Sequence, residues 1–280
     1  MISLPRYSNP PVDEVALSVQ FDSVEGLLIP HIGLIWERFR SKFPLVEQHP
    51  PIAPIVERSR PAASTSGKLS FSTAVETPRV WFVASDGAEL VQIQTNRFVR
   101  NWRKSGISNR KYPNYEPHIR PNFLSDLQLF QDTIAELGFE KIKINQCEIT
   151  YVNHILPGEG WSKHSDVGKV LRDWPSDVVN TVGDGFESAA IKLSKRLVNE
   201  NGEFFGRLHF DLQPGYRAVP DKSGDQLPIF VSNIVARGKP LGTEDDGIVD
   251  FFDAGRREIV LLFDKIFSQT MQQAWGRKEI

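Results

Sequence analysis

The sequence has few of the residues on which several common classes of protein depend. Cys147 is its single cysteine, which excludes an internal disulfide bond and a zinc site built from clustered cysteines. We interpret Cys147 as a small apolar core residue, and a thiol nucleophile is the alternative. No apolar run approaches the roughly 20 residues that span a bilayer, and residues 1–6 lack the apolar core of a signal peptide. We therefore expect a cytoplasmic protein with no membrane partner.

The sequence also lacks the motifs of the common enzyme classes and an excess of charge. It has no P-loop, no Rossmann glycine fingerprint, no His-Glu-x-x-His zinc helix and no Gly-x-Ser-x-Gly elbow. We expect neither a metal nor a cofactor. Lys and Arg together number 33 against 35 Asp and Glu, for a formal net charge of -2. Binding to nucleic acid would therefore need a local basic patch.

The densest strand pattern spans residues 145–155. Its apolar face consists of Cys147, Ile149, Tyr151 and Ile155. Its mostly polar face consists of Gln146, Glu148, Thr150, Val152 and His154. Ile142 and Ile144 keep the opposite register, so we expect either a strand that crosses between two cores or a bulge near Asn145.

Turn and helix signals divide the rest of the chain. Strands are predicted at residues 15–21, 80–83, 90–94, 98–102, 191–198, 205–212 and 229–235, with hairpin turns at Asp86-Gly87 and Asn201-Gly202. A helix over residues 188–198 is the alternative to the strand there. Helices are predicted at residues 30–43, at 123–137, and from an N-cap at Asp245-Asp246 to Gly276. Residues 44–78 are rich in proline and form a long connection with room for an edge strand.

This succession of elements favours an α+β fold with antiparallel sheets backed by helices over a doubly wound fold. The chain runs through a strand, a helix, several strands, a helix and a strand, and then through further strands and a helix. This order indicates two related halves, although no sequence identity establishes a repeat. At 280 residues the chain is long enough for one large domain or two closely joined ones. We assign residues 1–157 to an N-terminal α+β half and residues 158–280 to a C-terminal half packed on it in a single compact unit.

Several ordered motifs resemble a bacterial family that is sporadically distributed and has no assigned function. They are Pro10-Pro11-Val12-Asp13-Glu14-Val15, Phe98-Val99-Arg100-Asn101-Trp102-Arg103-Lys104, Tyr112-Pro113-Asn114-Tyr115, residues 145–155, Phe251-Phe252-Asp253-Ala254-Gly255-Arg256 and Trp275-Gly276-Arg277. The resemblance covers nearly the whole chain and is weakest over residues 44–78 and 162–187. It implies no catalytic residues. Sporadic occurrence is associated with accessory loci, including toxin–antitoxin and phage-defence loci.

Four polar residues form a candidate catalytic cluster. Glu148 and His154 share a face of the 145–155 strand, and His209 and Asp211 share the outward face of the 205–212 strand. If these strands are near neighbours, the four side chains converge as metal ligands or as an acid/base pair of a hydrolase. His164 and Asp166 could extend such a site. The ordinary alternative, hydrogen-bonded sheet residues, is favoured because a single sequence places strand neighbours poorly.

A second candidate is the stretch of residues 97–120, which we call the basic aromatic segment. Its predicted binding residues are Arg97, Arg100, Arg103, Lys104, Arg110, Lys111, Tyr112 and Tyr115. Cations neutralise phosphates and aromatic rings stack on bases, so the predicted partner is single-stranded nucleic acid or an acidic protein. The ordinary alternative is a solvated hairpin and loop whose aromatic side chains fill the core.

Strand geometry limits how many of these cations act together. Side chains alternate between the faces of a strand, so Arg97 and Arg103 should share one face, and Arg100 and Lys104 the other. We expect a non-catalytic binding or regulatory protein that uses this segment. A metal-assisted or acid/base hydrolase is the alternative.

Overall fold

The structure, a computed structural model, describes residues 4–60, 77–105, 111–158, 160–218, 225–242 and 246–278. The strands are β1 (Arg6–Tyr7), β2 (Val12–Phe21), β3 (Leu45–His49), β4 (Arg79–Val83), β5 (Glu89–Gln94), β6 (Arg97–Arg103), β7 (Ile144–Ile155), β8 (Ile191–Val198), β9 (Phe204–Ala218), β10 (Gln226–Gly238) and β11 (Arg277–Lys278). The helices are α1 (Ile29–Phe39), α2 (Arg120–Glu136), α3 (Val167–Val170), α4 (Ser176–Val182), α5 (Asp246–Ile266) and α6 (Gln269–Ala274). None of the helices described is long and apolar enough to cross a membrane.

Nine of the strands form one antiparallel sheet in the order β3-β4-β5-β6-β2-β7-β10-β9-β8. The predicted α+β class is therefore confirmed. The same order of elements occurs twice, first from β2 to α2 and then from β7 to α5. In each case a strand is followed by helical structure, several strands and a helix. The two leading strands, β2 and β7, pair with each other in the middle of the sheet. The division of the chain at residues 157 and 158 stays a prediction.

One face of the sheet, which we call the helix face, packs against α2 and α5. It carries Val15, Leu17 and Val19 of β2, all fully buried. Rings from sheet and helix meet there, as in Phe98 and Phe130, whose centroids lie 5.2 Å apart. Apolar burial on this face is the main source of stability of the fold, because the free energy gained scales with the apolar area removed from water.

The predicted irregularity in the central strand is a bulge. Gln20 of β2 pairs with Gln146, but the next residue of β2, Phe21, pairs with Ile144. Asn145 is therefore the extra residue on β7, and it shifts the alternation by one position. This explains why Ile144 and Ile149 follow opposite registers while belonging to one strand.

Most of the other predicted elements are present, including the hairpin closed near Asn201-Gly202 in place of a helix over residues 188–198. The proline-rich connection contains the edge strand β3. The prediction of one uninterrupted C-terminal helix is wrong, because α5 ends at Ile266 and α6 begins at Gln269. Phe267 forms a bridge to Leu171, and Ser268 caps α6 by accepting a hydrogen bond from the Met271 N–H. Asp245 of the predicted N-cap lies outside the described residues.

Candidate functional site

A cavity of about 910 Å³ lies on the helix face, between α5, the first strand of the chain and the basic aromatic segment. Its floor is buried and consists of Val12, Trp102, Tyr115, Tyr151, Asn153, Ile234, Ile259 and Phe263. Its rim is exposed and includes Arg6, Lys104, Lys111, Asn114, Glu116 and Lys278. The volume lies within the range of roughly 300–1,000 Å³ that is typical of sites for small molecules.

Tyrosine side chains form much of the cavity wall. The hydroxyl oxygens of Tyr112 and Tyr151 lie 3.0 Å apart in a hydrogen bond, and the Tyr115 hydroxyl donates to Asp253 at 2.8 Å. Burial is the largest cause that raises the pKa of these three phenols above the usual value. They therefore stay protonated at neutral pH and offer a ligand aromatic faces and neutral hydrogen-bonding groups.

The charged side chains of the lining are mostly positive. The cations are Arg6, Lys104, Lys111, Arg256 and Lys278, and the carboxylate is Glu116. Glu116 is already in an ion pair with Arg120, which lies outside the lining. Among the described residues, none of the lining cations is in an ion pair with a carboxylate. The cavity therefore combines an aromatic wall with cations that are in no ion pair with a described carboxylate.

Arg256 is a lining cation that contacts an aromatic ring of the wall. It projects from α5, and its guanidinium carbon lies 4.8 Å from the centre of the Tyr115 ring. Its Nε is buried and has no hydrogen-bond partner among the described residues. A buried donor without a partner costs free energy, so an anionic ligand that accepts from this Nε would be stabilised by satisfying it.

The structure divides the basic aromatic segment into residues that reach the cavity and residues that do not. Lys104, Lys111, Tyr112 and Tyr115 line it. Arg97, Arg100 and Arg103 do not, and Arg110 lies outside the described residues. The segment therefore does not present all its cations on one exposed surface, because strand β6 turns its arginines to opposite faces.

Arg100 points to the helix face and is only 6% exposed. Its Nε donates to the Asp126 carboxylate at 2.7 Å, and it also pairs with Glu89. Arg97 and Arg103 share the opposite face, as predicted. Arg97 is also 6% exposed, and Arg103 donates to the Gly87 carbonyl oxygen at 2.8 Å. These arginines are engaged by the fold.

We call the side of the sheet opposite to the helix face the polar face; it carries Gln20, Gln94, Arg97, Gln146, Arg207 and Arg237. The catalytic candidates Glu148, His154, His209 and Asp211 also lie there, according to the strand register. However, β10 lies between β7 and β9, so the first two are separated from the last two by a strand. The sheet thus brings the four to one face without bringing them together.

Each of the four has a different charged neighbour, and the neighbours of Glu148 and His209 are in contact with each other. Glu148 pairs with Arg237, and His154 Nδ1 lies 3.2 Å from Asp13 Oδ1. The partner of His209 is Glu57, at 2.5 Å, and that of Asp211 is Lys192, at 3.3 Å. Across the part of the chain that the structure describes, no hydrogen bond or ion pair joins two of the four, and no group of three or more His, Cys, Asp or Glu side chains could hold a metal.

The loop residues His164 and Asp166 serve local structure. The His164 ring is buried, and its Nε2 lies 3.0 Å from the carbonyl oxygens of Gly215 and Ile229. Asp166 accepts hydrogen bonds from the backbone N–H groups of Ser162 and Lys163. Neither residue joins the four catalytic candidates in a common site.

Residues 50–60, which we call the strap, cross the polar face and were not predicted as part of any site. The Ile52 N–H donates to Gln94 Oε1 at 2.8 Å, and the Ile55 N–H donates to Gln20 Oε1 at 2.9 Å. Farther along, the Glu57 N–H donates to Gln146 Oε1 at 3.0 Å. Side chains of β5, β2 and β7 thus hold the strap by its backbone.

The strap delivers the Glu57 carboxylate to three basic side chains of the polar face. His209 Nε2 lies 2.5 Å from it, Arg207 Nε 3.2 Å and Arg237 Nη1 3.4 Å. The Glu57 side chain is 10% exposed. Burial alone would raise the pKa of Glu57, but these hydrogen bonds and charges outweigh burial and lower it. Glu57 is therefore held as a carboxylate at neutral pH.

Comparison with known proteins adds no assignment to this geometry. No protein-family model matches the chain, and no curated protein matches it. The resemblance to the sporadically distributed bacterial family therefore stays a prediction. The features that bear on function are the cavity on the helix face and the strap on the polar face.

Proposed function

We propose that this protein is a non-catalytic binding protein whose cavity holds a phosphate-bearing aromatic ligand, of the chemistry found in nucleotides and in single-stranded nucleic acid. The observation that carries the proposal is the excess of cations over carboxylates around an aromatic wall. The net charge of -2 on the whole molecule does not attract an anionic ligand, so the attraction comes from the cations of the cavity. A role in an accessory bacterial locus, which the resemblance implies, stays a prediction.

The two parts of the lining suit the two parts of such a ligand. Exposed lysines such as Lys104 and Lys111 at the rim are placed to neutralise phosphate oxygens. Aromatic side chains such as Tyr112 supply faces on which a base can stack. Arg256 lies over the Tyr115 ring and contributes a charged donor. A simple inorganic anion would use the cations but leave the aromatic wall without a contact.

The same lining supports binding more directly than bond cleavage. Its phenols have raised pKa values and stay protonated, so they do not act as bases at neutral pH. Its carboxylate, Glu116, is paired with Arg120. The hydrolase alternative is not favoured, because among the described residues no hydrogen bond or ion pair joins any two of Glu148, His154, His209 and Asp211.

Fluorescence anisotropy with fluorescein-labelled single-stranded DNA and RNA, at low and moderate salt, tests the proposal. We expect binding that weakens steeply with salt, because cations that neutralise phosphates release counterions. Competition with a nucleoside monophosphate distinguishes a free nucleotide from a strand, and the unphosphorylated nucleoside shows whether the phosphate is required. Polyglutamate as competitor tests the acidic-protein alternative.

Substitutions on α5 locate the site. Arg256→Gln should weaken binding by about 10-fold or more, because a hydrogen bond to a charged group contributes about 1.5–3 kcal/mol. Arg257→Gln is the matched control, since Arg257 is the exposed next residue and does not line the cavity. Absence of binding at low salt would eliminate this ligand class, and equal binding by both variants would place the ligand elsewhere.

A further inference from the structure

The strap occupies the polar face in the way that a bound peptide would. We propose that the polar face is a docking surface for an extended peptide of a partner protein that carries one acidic residue, and that the strap occupies this surface in place of the peptide. This surface lies on the opposite side of the sheet from the cavity, so the inference goes beyond the proposed function and does not rest on it.

The first supporting observation is a row of glutamines that recognises peptide backbone. Gln94, Gln20 and Gln146 are 5%, 4% and 3% exposed, and each accepts a backbone N–H of the strap. The amide of Gln94 also donates to the Ile52 carbonyl oxygen at 2.9 Å, so it pairs with both backbone groups of one residue. Contacts of this kind read an extended main chain and are independent of most of its side chains.

The second observation is a slot for one carboxylate. Arg207, His209 and Arg237 surround the Glu57 side chain. Arg237 also pairs with Glu148, but among the described residues Arg207 and His209 have no carboxylate partner other than Glu57. If the strap left, these two side chains would require another anion. The slot therefore specifies an acidic residue at one position of an otherwise permissive peptide.

The third observation is that the strap is held by polar contacts. Ile55 and Val56 are 42% and 50% exposed, so these two apolar side chains bury little surface against the sheet, and Ile52 is half-buried. Besides the glutamines, Arg97, Arg196 and Arg207 donate to carbonyl oxygens of the strap. A segment held by backbone hydrogen bonds and one carboxylate can be replaced by another segment that makes the same bonds. The strap is joined directly to β3, however, and this tether gives it a high effective concentration against a competitor.

The chemistry of the glutamine row favours a peptide over a nucleic-acid strand. The oxygens of Gln94, Gln20 and Gln146 accept hydrogen bonds from the strap. A peptide backbone presents an N–H donor at almost every residue, whereas a phosphodiester backbone presents acceptors. The amide nitrogens of Gln20 and Gln146 donate to Asn145, so these two glutamines present their oxygens to the strap. A phosphodiester backbone would pair with the arginines but leave the two buried oxygens facing other acceptors.

Peptide binding in trans to the full-length chain tests the inference. The probe is a fluorescein-labelled synthetic peptide of residues 50–60, and the measurement is fluorescence anisotropy. Glu57→Lys in the protein places a cation against Arg207 and Arg237 and should release its own strap. We expect this variant to bind the peptide at least ~10-fold more tightly than the unmodified protein, in which the tethered strap competes. A labelled peptide that itself carries Glu57→Gln should bind the opened protein at least ~10-fold more weakly.

Two further variants keep the test decisive. Ile55→Pro removes the backbone N–H that donates to Gln20 without changing the sheet, and it should also open the surface. Glu25→Lys makes the same charge change at an exposed residue and should behave as the unmodified protein. If circular dichroism shows that Glu57→Lys and Ile55→Pro are both folded, and neither variant binds the peptide better than the unmodified protein, the inference is wrong. Preferential binding of labelled single-stranded DNA to the opened variants would also overturn it.

Discussion

Replacing Arg100 with alanine tests whether this arginine of the basic aromatic segment stabilises the fold or binds a ligand. Its side chain is 6% exposed and its Nε lies 2.7 Å from Asp126, whose side chain is 1% exposed. Removing one member of a buried ion pair leaves the other charge buried without its partner, which costs roughly 3–5 kcal/mol. We expect the lower end of this range, because Lys42 Nζ lies 3.0 Å from the same carboxylate and is 60% exposed.

A loss of about 3 kcal/mol is a large share of the ~5–15 kcal/mol by which a folded domain is stable. The unfolding entropy of about 2.1 cal/mol/K per residue converts this loss into a fall in Tm of roughly 5 °C for 280 residues. Both quantities can be measured, the first by urea denaturation followed by tryptophan fluorescence and the second by calorimetry. Binding of labelled oligonucleotide by the folded variant should be unchanged, because Arg100 does not line the cavity.

Arg38→Ala is the matched control. Arg38 pairs with Glu136 on the surface, where the two side chains are 46% and 56% exposed. Such pairs contribute about 0–1 kcal/mol, so the control should remain close to the unmodified protein. The reasoning would be refuted if Arg100→Ala lay within about 1 kcal/mol of the control while its affinity for oligonucleotide fell.

Two further predictions concern acid stability and thiol reactivity. Hydrogen bonds from Ser162 and Lys163 and the nearby Lys169 outweigh burial and lower the pKa of Asp166 to about 2 from 3.8. Because this folded-state pKa is depressed, the contribution of Asp166 to stability is present above pH 3.8 and is lost as the pH falls towards 2. Over that interval, the difference in the free energy of unfolding between the unmodified protein and Asp166→Asn, measured by urea denaturation, should shrink. Cys147 is fully buried, and burial raises the pKa of its thiol. Ellman's reagent at pH 8 should therefore label it in denaturant but not in the native protein. Rapid labelling of the native protein would contradict this placement.

The strands were predictable because their pattern is local. A strand that buries one face repeats its apolar residues at every second position, and Cys147, Ile149 and Tyr151 do so over β7. The bulge was also predictable, because one extra residue reverses the alternation at Asn145. The break between α5 and α6 was not, since the apolar stripe continues through Phe267 and the interruption depends on its bridge to Leu171.

The cavity was predictable only in part. Lys104, Lys111, Tyr112 and Tyr115 belong to one stretch of sequence, so their shared charge and aromatic character could be recognised. Arg6 and Lys278 come from opposite regions of the chain that meet when β1 pairs with β11. Arg256 lies on α5, where a helical arginine has the appearance of an ordinary surface residue. No local pattern indicates that these three side chains approach the same space.

The strap could not be predicted because its partners are distant in the sequence. Glu57 and His209 are in contact although they are 152 positions apart. Gln20 and Gln146 occupy the non-apolar positions of their strands, which predicts exposure to solvent, yet both are buried. The one local hint is that residues 50–60 follow an edge strand without forming a recognisable element of their own.

The arginines of this protein show why a local excess of cations in the sequence does not by itself indicate a binding surface. Arg100 meets the Asp126 carboxylate on the helix packed against its strand, so its charge is compensated inside the fold. Arg256 meets the Tyr115 ring, and among the described residues no carboxylate pairs with it. Both side chains are arginines on regular elements, and what separates their roles is the charge of the side chain opposite. Lys104 and Lys111 of the basic aromatic segment line the cavity together with Arg256, and these are the charges that an anionic ligand in the cavity can use.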